Sequence, residues 1–84
     1  MQKHINDMMT PEQSRAARGL LYWSQQQLAD AAGLGLSTVR DFEKGRRDPL
    51  PANLEAMKHA LEVKGVLFLE IGKNRSGGPG VRLK

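Results

Sequence analysis

The stretch from Ser24 to Gly45, SQQQLADAAGLGLSTVRDFEKG, constrains the fold of this chain more than any other. Ser24 suits a helix N-cap, and Gln27 stands three residues on, where a capping box places Glu or Gln. Leu28, Ala29 and Ala32 then fall on one helical face. Gly33 enters the left-handed region without steric cost and so ends the helix. A second helix starts near Leu36 or Ser37, turns Val39 and Phe42 to one side, and ends at Gly45. Ala29 matters for the crossing, because two helices meeting steeply over a short turn leave little room for a side chain there.

The flanks predict two further helices and a hairpin. Thr10-Pro11-Glu12-Gln13 combines a capping Thr, a first-turn Pro and a capping-box Gln. That helix runs to about Leu21, with Ala16, Ala17, Leu20 and Leu21 as its apolar side. Tyr22-Trp23 is the connection. Trp23 reads as core filling between the first two helices, with stacking on a base as the alternative. Lys44 to Leu50 is a polar loop, and Pro51 and Asn53 open a helix that runs to about Lys64. Leu54, Met57 and Leu61 recur on it at helical spacing, and Gly65 stops it. Val66 to Ile71 predicts a strand, Gly72 to Gly80 a turn, and Val81-Arg82-Leu83 a returning strand. A two-stranded hairpin is marginal by itself in water, so it must pack on the helices or pair with another subunit. The expected fold is mainly α: roughly four helices forming a helix-turn-helix unit over residues 10–65. Residues 1–9 form a flexible arm, and residues 66–84 a hairpin or tail lying on the unit or at a dimer interface.

A helix-turn-helix sets its second helix into the DNA major groove. The segment resembles the Cro-like, phage-repressor-type helix-turn-helix family, also called the XRE family. Gln25, Ala29, Gly33, Val39, Phe42 and the Glu43 to Gly45 ending carry the likeness. RAARGLLYWSQQQLA upstream, NLEAMKHALEVKGVLF downstream and the ending GPGVRL are also similar to small bacterial members. The likeness therefore covers Thr10 to Leu83.

The resemblance implies which residues meet DNA. By position it places Gly35, Leu36, Ser37, Arg40 and Asp41 at or near base edges. Arg40 suits guanine, which a guanidinium bonds bidentately; the alternative is a solvated charge paired with Asp41. Ser37 suits a base or a phosphate, and Leu36 a thymine methyl. Gly35 and Leu36 stand where family members often carry polar Gln or Thr, which gives DNA shape a larger part in recognition. Gln25 lies at a helix N-terminus, which favours an anion, and the resemblance also assigns it to the DNA backbone. Lys44, Arg46 and Arg47 follow the second helix and flank the groove, and Thr38 adds a hydroxyl donor. The resemblance further implies an ion pair between Arg18 and Glu43, fixing the first helix against the third.

Composition narrows the remaining classes. A formal charge of +4 favours a polyanionic partner, though weakly. The chain has no cysteine, which removes disulfides and thiolate metal sites and fits a reducing cytoplasm. MQKHINDMM lacks the apolar stretch of a secretion signal, and no apolar run is long enough for a bilayer. His4 and His59 each lack a second ligand at metal spacing. GKNRSGG and GGPG lack the strand-loop-helix setting of a phosphate loop. No cofactor, metal, membrane or enzymatic role is expected. The expected function is sequence-specific binding of double-stranded DNA by a cytoplasmic, nucleoid-associated transcriptional regulator, repressing rather than activating. The resemblance implies a homodimer on twofold operators. Two alternatives share the fold: an antitoxin whose C-terminal segment binds a toxin, and a protein-interaction adaptor with little sequence specificity.

Overall fold

Thr10 opens the first helix through a reciprocal pair of bonds. Its hydroxyl accepts from the Gln13 N–H at 3.0 Å, and its own N–H donates to Gln13 Oε1 at 2.9 Å. Ser24 and Gln27 close the second capping box, at 3.0 and 2.8 Å. The computed structural model describes residues 9–69 and 79–84. In it α1 spans Pro11–Leu21, α2 Gln25–Ala32, α3 Leu36–Glu43 and α4 Pro51–Val63. β1, Val66–Leu69, and β2, Gly80–Leu83, follow. The third and fourth helices have no side-chain cap.

Two left-handed residues set the turns around α2. Gly33 has φ 72°, and a Cβ added there would meet nothing within 4 Å. The dihedral angle, not crowding, is what asks for glycine. Tyr22 ends α1 at φ 59°, which lets the Trp23 N–H reach the Arg18 carbonyl at 2.9 Å. A side chain in that region carries a Cβ clash costing about 1–2 kcal/mol.

Every element but β2 contributes a fully buried apolar side chain to the core. Ala17 of α1, Leu28 and Ala29 of α2, Val39 and Phe42 of α3, Leu54, Met57 and Leu61 of α4, and Val66 of β1 are all buried. Leu21, Trp23 and Ala32 pack against this cluster. Ala16, by contrast, is exposed and Leu20 half-buried. The inward face of α1 is instead Gln13, Ser14 and Ala17, because the first two find hydrogen-bond partners inside. Met9 also departs from expectation: it is no part of a loose arm but wholly buried. The capping box fixes how the chain enters α1, which lays Met9 on the core, and an unbranched thioether fills irregular space readily. The rest of the expected arm lies outside the described residues.

The hairpin is antiparallel, pairing Val66 with Leu83, Leu67 with Arg82, Phe68 with Val81 and Leu69 with Gly80. Alternation turns Val66, Phe68 and Val81 toward the helices. Gln13 Nε2 donates to the carbonyls of both Leu69 and Gly80, each at 3.0 Å. One amide thus ties both strands to α1. The Lys58 ammonium lies 5.5 Å from the centre of the Phe68 ring and covers β1 from α4. Gly80, expected in the turn, is the first residue of β2, because backbone pairing and the Gln13 bond hold it there. Glu70, Ile71 and residues 72–78 of the expected turn lie outside the described residues.

Met9→Ala removes a buried side chain and leaves a cavity. It is expected to lower stability by about 2–4 kcal/mol in urea titrations, whereas an unchanged midpoint would return Met9 to a free arm.

Candidate nucleic-acid interface

A buried carboxylate fixes the end of α3. The Glu43 side chain is 1% exposed and the Arg18 side chain 17%. Arg18 Nη2 donates to Oε1 at 2.7 Å, and Arg18 Nε to Oε2 at 2.9 Å, a two-pronged guanidinium–carboxylate contact. The Ser14 hydroxyl donates to Oε2, and Gln25 Nε2 to Oε1 at 3.0 Å. Arg15 Nη1 donates to the Glu43 backbone carbonyl. Arg18 Nη1 also reaches the Trp23 carbonyl at 3.0 Å. One side chain on α3 is therefore bound by α1 and by the first residue of α2. Burial alone would push its carboxyl up; hydrogen bonds from Arg18, Ser14 and Gln25, together with the Arg18 charge, outweigh that and hold it below its ordinary value.

This anchorage leaves the other side of α3 free. Val39, Phe42 and Glu43 point inward, whereas Ser37 and Arg40 are exposed. Gly35, the N-cap, is exposed, and Leu36, Thr38 and Asp41 are half-buried. Lys44, Arg46 and Arg47 are all exposed just past the helix. The helix ends at Glu43, earlier than expected: Lys44 is its C-cap and Gly45 follows at φ 74°. The Arg46 N–H then bonds the Asp41 carbonyl at 2.9 Å and folds the loop back. A groove of about 270 Å³ separates the first turn of α3 from the start of α4. Ser37, Thr38, Asp41, Arg47, Asp48 and Asn53 are among its walls. Its charge is mixed, with two carboxylates beside one guanidinium.

The candidate residues therefore divide. Gly35, Ser37 and Arg40 lie open along one helix, with Leu36, Thr38 and Asp41 partly covered beside them. Gln25 commits one of its two amide N–H groups to Glu43. Trp23 packs on the core. Ser14 and Arg15 escaped the reading of the sequence although both hold Glu43. The available signal was spacing: Ser14 stands one turn before Arg18, so an acceptor reaching one can reach the other.

The crossing of α2 and α3, with α3 held from within and open outside, defines a helix-turn-helix module of the kind that DNA-binding regulators carry. A family model described as Helix-turn-helix matches residues 15–68, most of the chain. The protein belongs to this XRE-type helix-turn-helix family, whose members are DNA-binding regulators. Comparison with curated proteins gives no match. Among the described residues, no helix is long and apolar enough to cross a membrane.

A carboxyl held below its ordinary value of 4.5 in the folded chain adds stability above that pH. The contribution is lost as the pH falls through the folded value. Arg18→Met strands the carboxylate and is expected to cost about 3 kcal/mol near neutrality. The deficit shrinks on acidification, because a protonated Glu43 no longer lacks a counter-charge. Equal unfolding free energies for the two chains at pH 7 would contradict the role of the pair.

Proposed function

We propose that the protein binds specific double-stranded DNA sites through α3 and represses transcription by occupying an operator against polymerase. The observation that carries this reading is the two-sidedness of α3: Val39 and Phe42 are buried while Ser37 and Arg40 are exposed. Arg40 reads guanine in the major groove, a contact worth about 1–3 kcal/mol of discrimination. Ser37 and Asp41 offer further polar contacts to base edges, Leu36 meets a thymine methyl, and Gly35 lets the backbone approach. Lys44, Arg46, Arg47 and Thr38 bind phosphates, which positions the module without reading sequence. Gln25 joins them through its second amide N–H, since a primary amide has two and one goes to Glu43.

So small a module makes few phosphate contacts, and twofold pairing raises its affinity through linked binding. Recognition helices on successive turns of DNA stand roughly 34–36 Å apart. The outer edge of β1 is the proposed dimer contact: among the described residues β1 pairs with β2 alone, and strand pairing across a twofold axis would engage its other edge.

Selection from a random duplex pool tests the reading. Wild type is expected to enrich a defined site, and Arg40→Ala to relax preference at one base position. Arg46→Ala weakens every site alike and lowers the salt slope by about 0.9 for one lost phosphate contact. A pool that stays random would leave only the fold and remove operator binding.

A further inference from the structure

Tyr22 stands apart from every other side chain described. It is 93% exposed, more than any other large hydrophobic residue among those described. It is also the only residue other than glycine with positive φ among those described. The turn that ends α1 requires that dihedral, since the Tyr22 N–H bonds the Gly19 carbonyl at 3.2 Å and the Trp23 N–H the Arg18 carbonyl. Glycine would satisfy both bonds without strain. Tyrosine makes the turn costlier, and its ring buries almost nothing in return. Nothing among the described residues compensates for its presence, which points to a contact outside them.

Position says which contact. Tyr22 lies two residues before Ser24, the N-cap of α2, and three before Gln25. The next residue, Trp23, is tied through its carbonyl to Arg18, and Arg18 to Glu43 at the end of α3. The turn is therefore held rigidly against the end of α3, from which exposed Lys44 and Arg46 continue. A phenol suits such a place on a polyanion: its O–H donates to a phosphate oxygen while its ring lies on the adjacent sugar.

We propose that Tyr22 is a DNA-backbone contact, its hydroxyl donating to a phosphate flanking the one that Gln25 serves. The assignment rests on the DNA-binding reading above and extends that interface beyond α2 and α3. A neutral donor releases no counterion, so its removal weakens binding without changing the salt dependence. Loss of an arginine contact changes both.

The test measures duplex affinity against salt for wild type, Tyr22→Phe and Tyr22→Gly, using a fragment selected by the wild-type protein. Urea titrations, sedimentation and phosphate-ethylation interference accompany it. Tyr22→Gly is expected to be at least as stable as wild type, so weaker binding by it cannot be blamed on unfolding. Both variants are expected to bind about tenfold more weakly, the scale of one hydrogen bond to a charged group, with an unchanged salt slope. One phosphate whose ethylation blocks wild type no longer matters to Tyr22→Phe. Wild-type affinity in Tyr22→Phe overturns the assignment while leaving the DNA-binding reading intact. So does a Tyr22→Gly protein that merely associates less with itself, because the ring then serves a protein partner. A wild-type protein that retains no duplex at low salt overturns both.

Discussion

The carboxylate of Glu43 is the point on which three helices agree. It is the last residue of α3, yet its partners come from α1 and from the first residue of α2. A buried charge is a liability unless every acceptor site is used. Here the guanidinium takes two oxygens, while a hydroxyl and an amide occupy further positions. Well-packed hydrophobic groups could supply comparable stability, but not direction. Directed bonds from Ser14, Arg18 and Gln25 fix the rotation of α3 about its own axis, and that rotation decides which residues face outward. The side chains of Ser37 and Arg40 are free because Val39, Phe42 and Glu43 are committed.

The Gln13 amide does for the C-terminal hairpin what the Glu43 carboxylate does for α3. Gln13 uses its oxygen to cap α1 and its nitrogen to hold Leu69 and Gly80. Its oxygen and both of its amide hydrogens are engaged within the fold. The hairpin is thus bound to the helix start by polar bonds as well as by the apolar contacts of Val66, Phe68 and Val81. A pair of four-residue strands would not persist alone in water. The helices supply the missing layer and leave the outer strand edge of β1 for the pairing proposed above.

The helices were legible because their boundaries rest on local chemistry. Thr10 with Gln13, and Ser24 with Gln27, specify helix starts within a few residues, and Gly33 marks an end through its dihedral preference. What the sequence concealed was nonlocal. Gln13 looks like a cap and nothing more until a strand far along the chain presents its carbonyls. Ser14 interrupts the apolar face of α1, and only the arrival of Glu43 makes it an interior residue. Met9 stands in a segment without period, so no pattern marks it, yet the entry angle of α1 carries it into the core. The bond that Gln25 gives Glu43 was hidden in the same way, because its acceptor comes from another helix.

That bond links stability to the proposed DNA contact. Gln25 Nε2 carries two protons, and its bond to Glu43 fixes where the second one points. An amide oriented in advance loses less side-chain entropy on meeting a phosphate than one free to rotate. Glu43 has almost no exposed surface with which to touch a duplex, yet it sets the geometry of a residue at the proposed interface. The same carboxylate that orients α3 from one end also orients Gln25 at the start of α2. Base-reading and phosphate-binding parts of the surface are therefore positioned by one buried group. A change there would disturb both together, whereas a change at Arg40 or Arg46 touches only one.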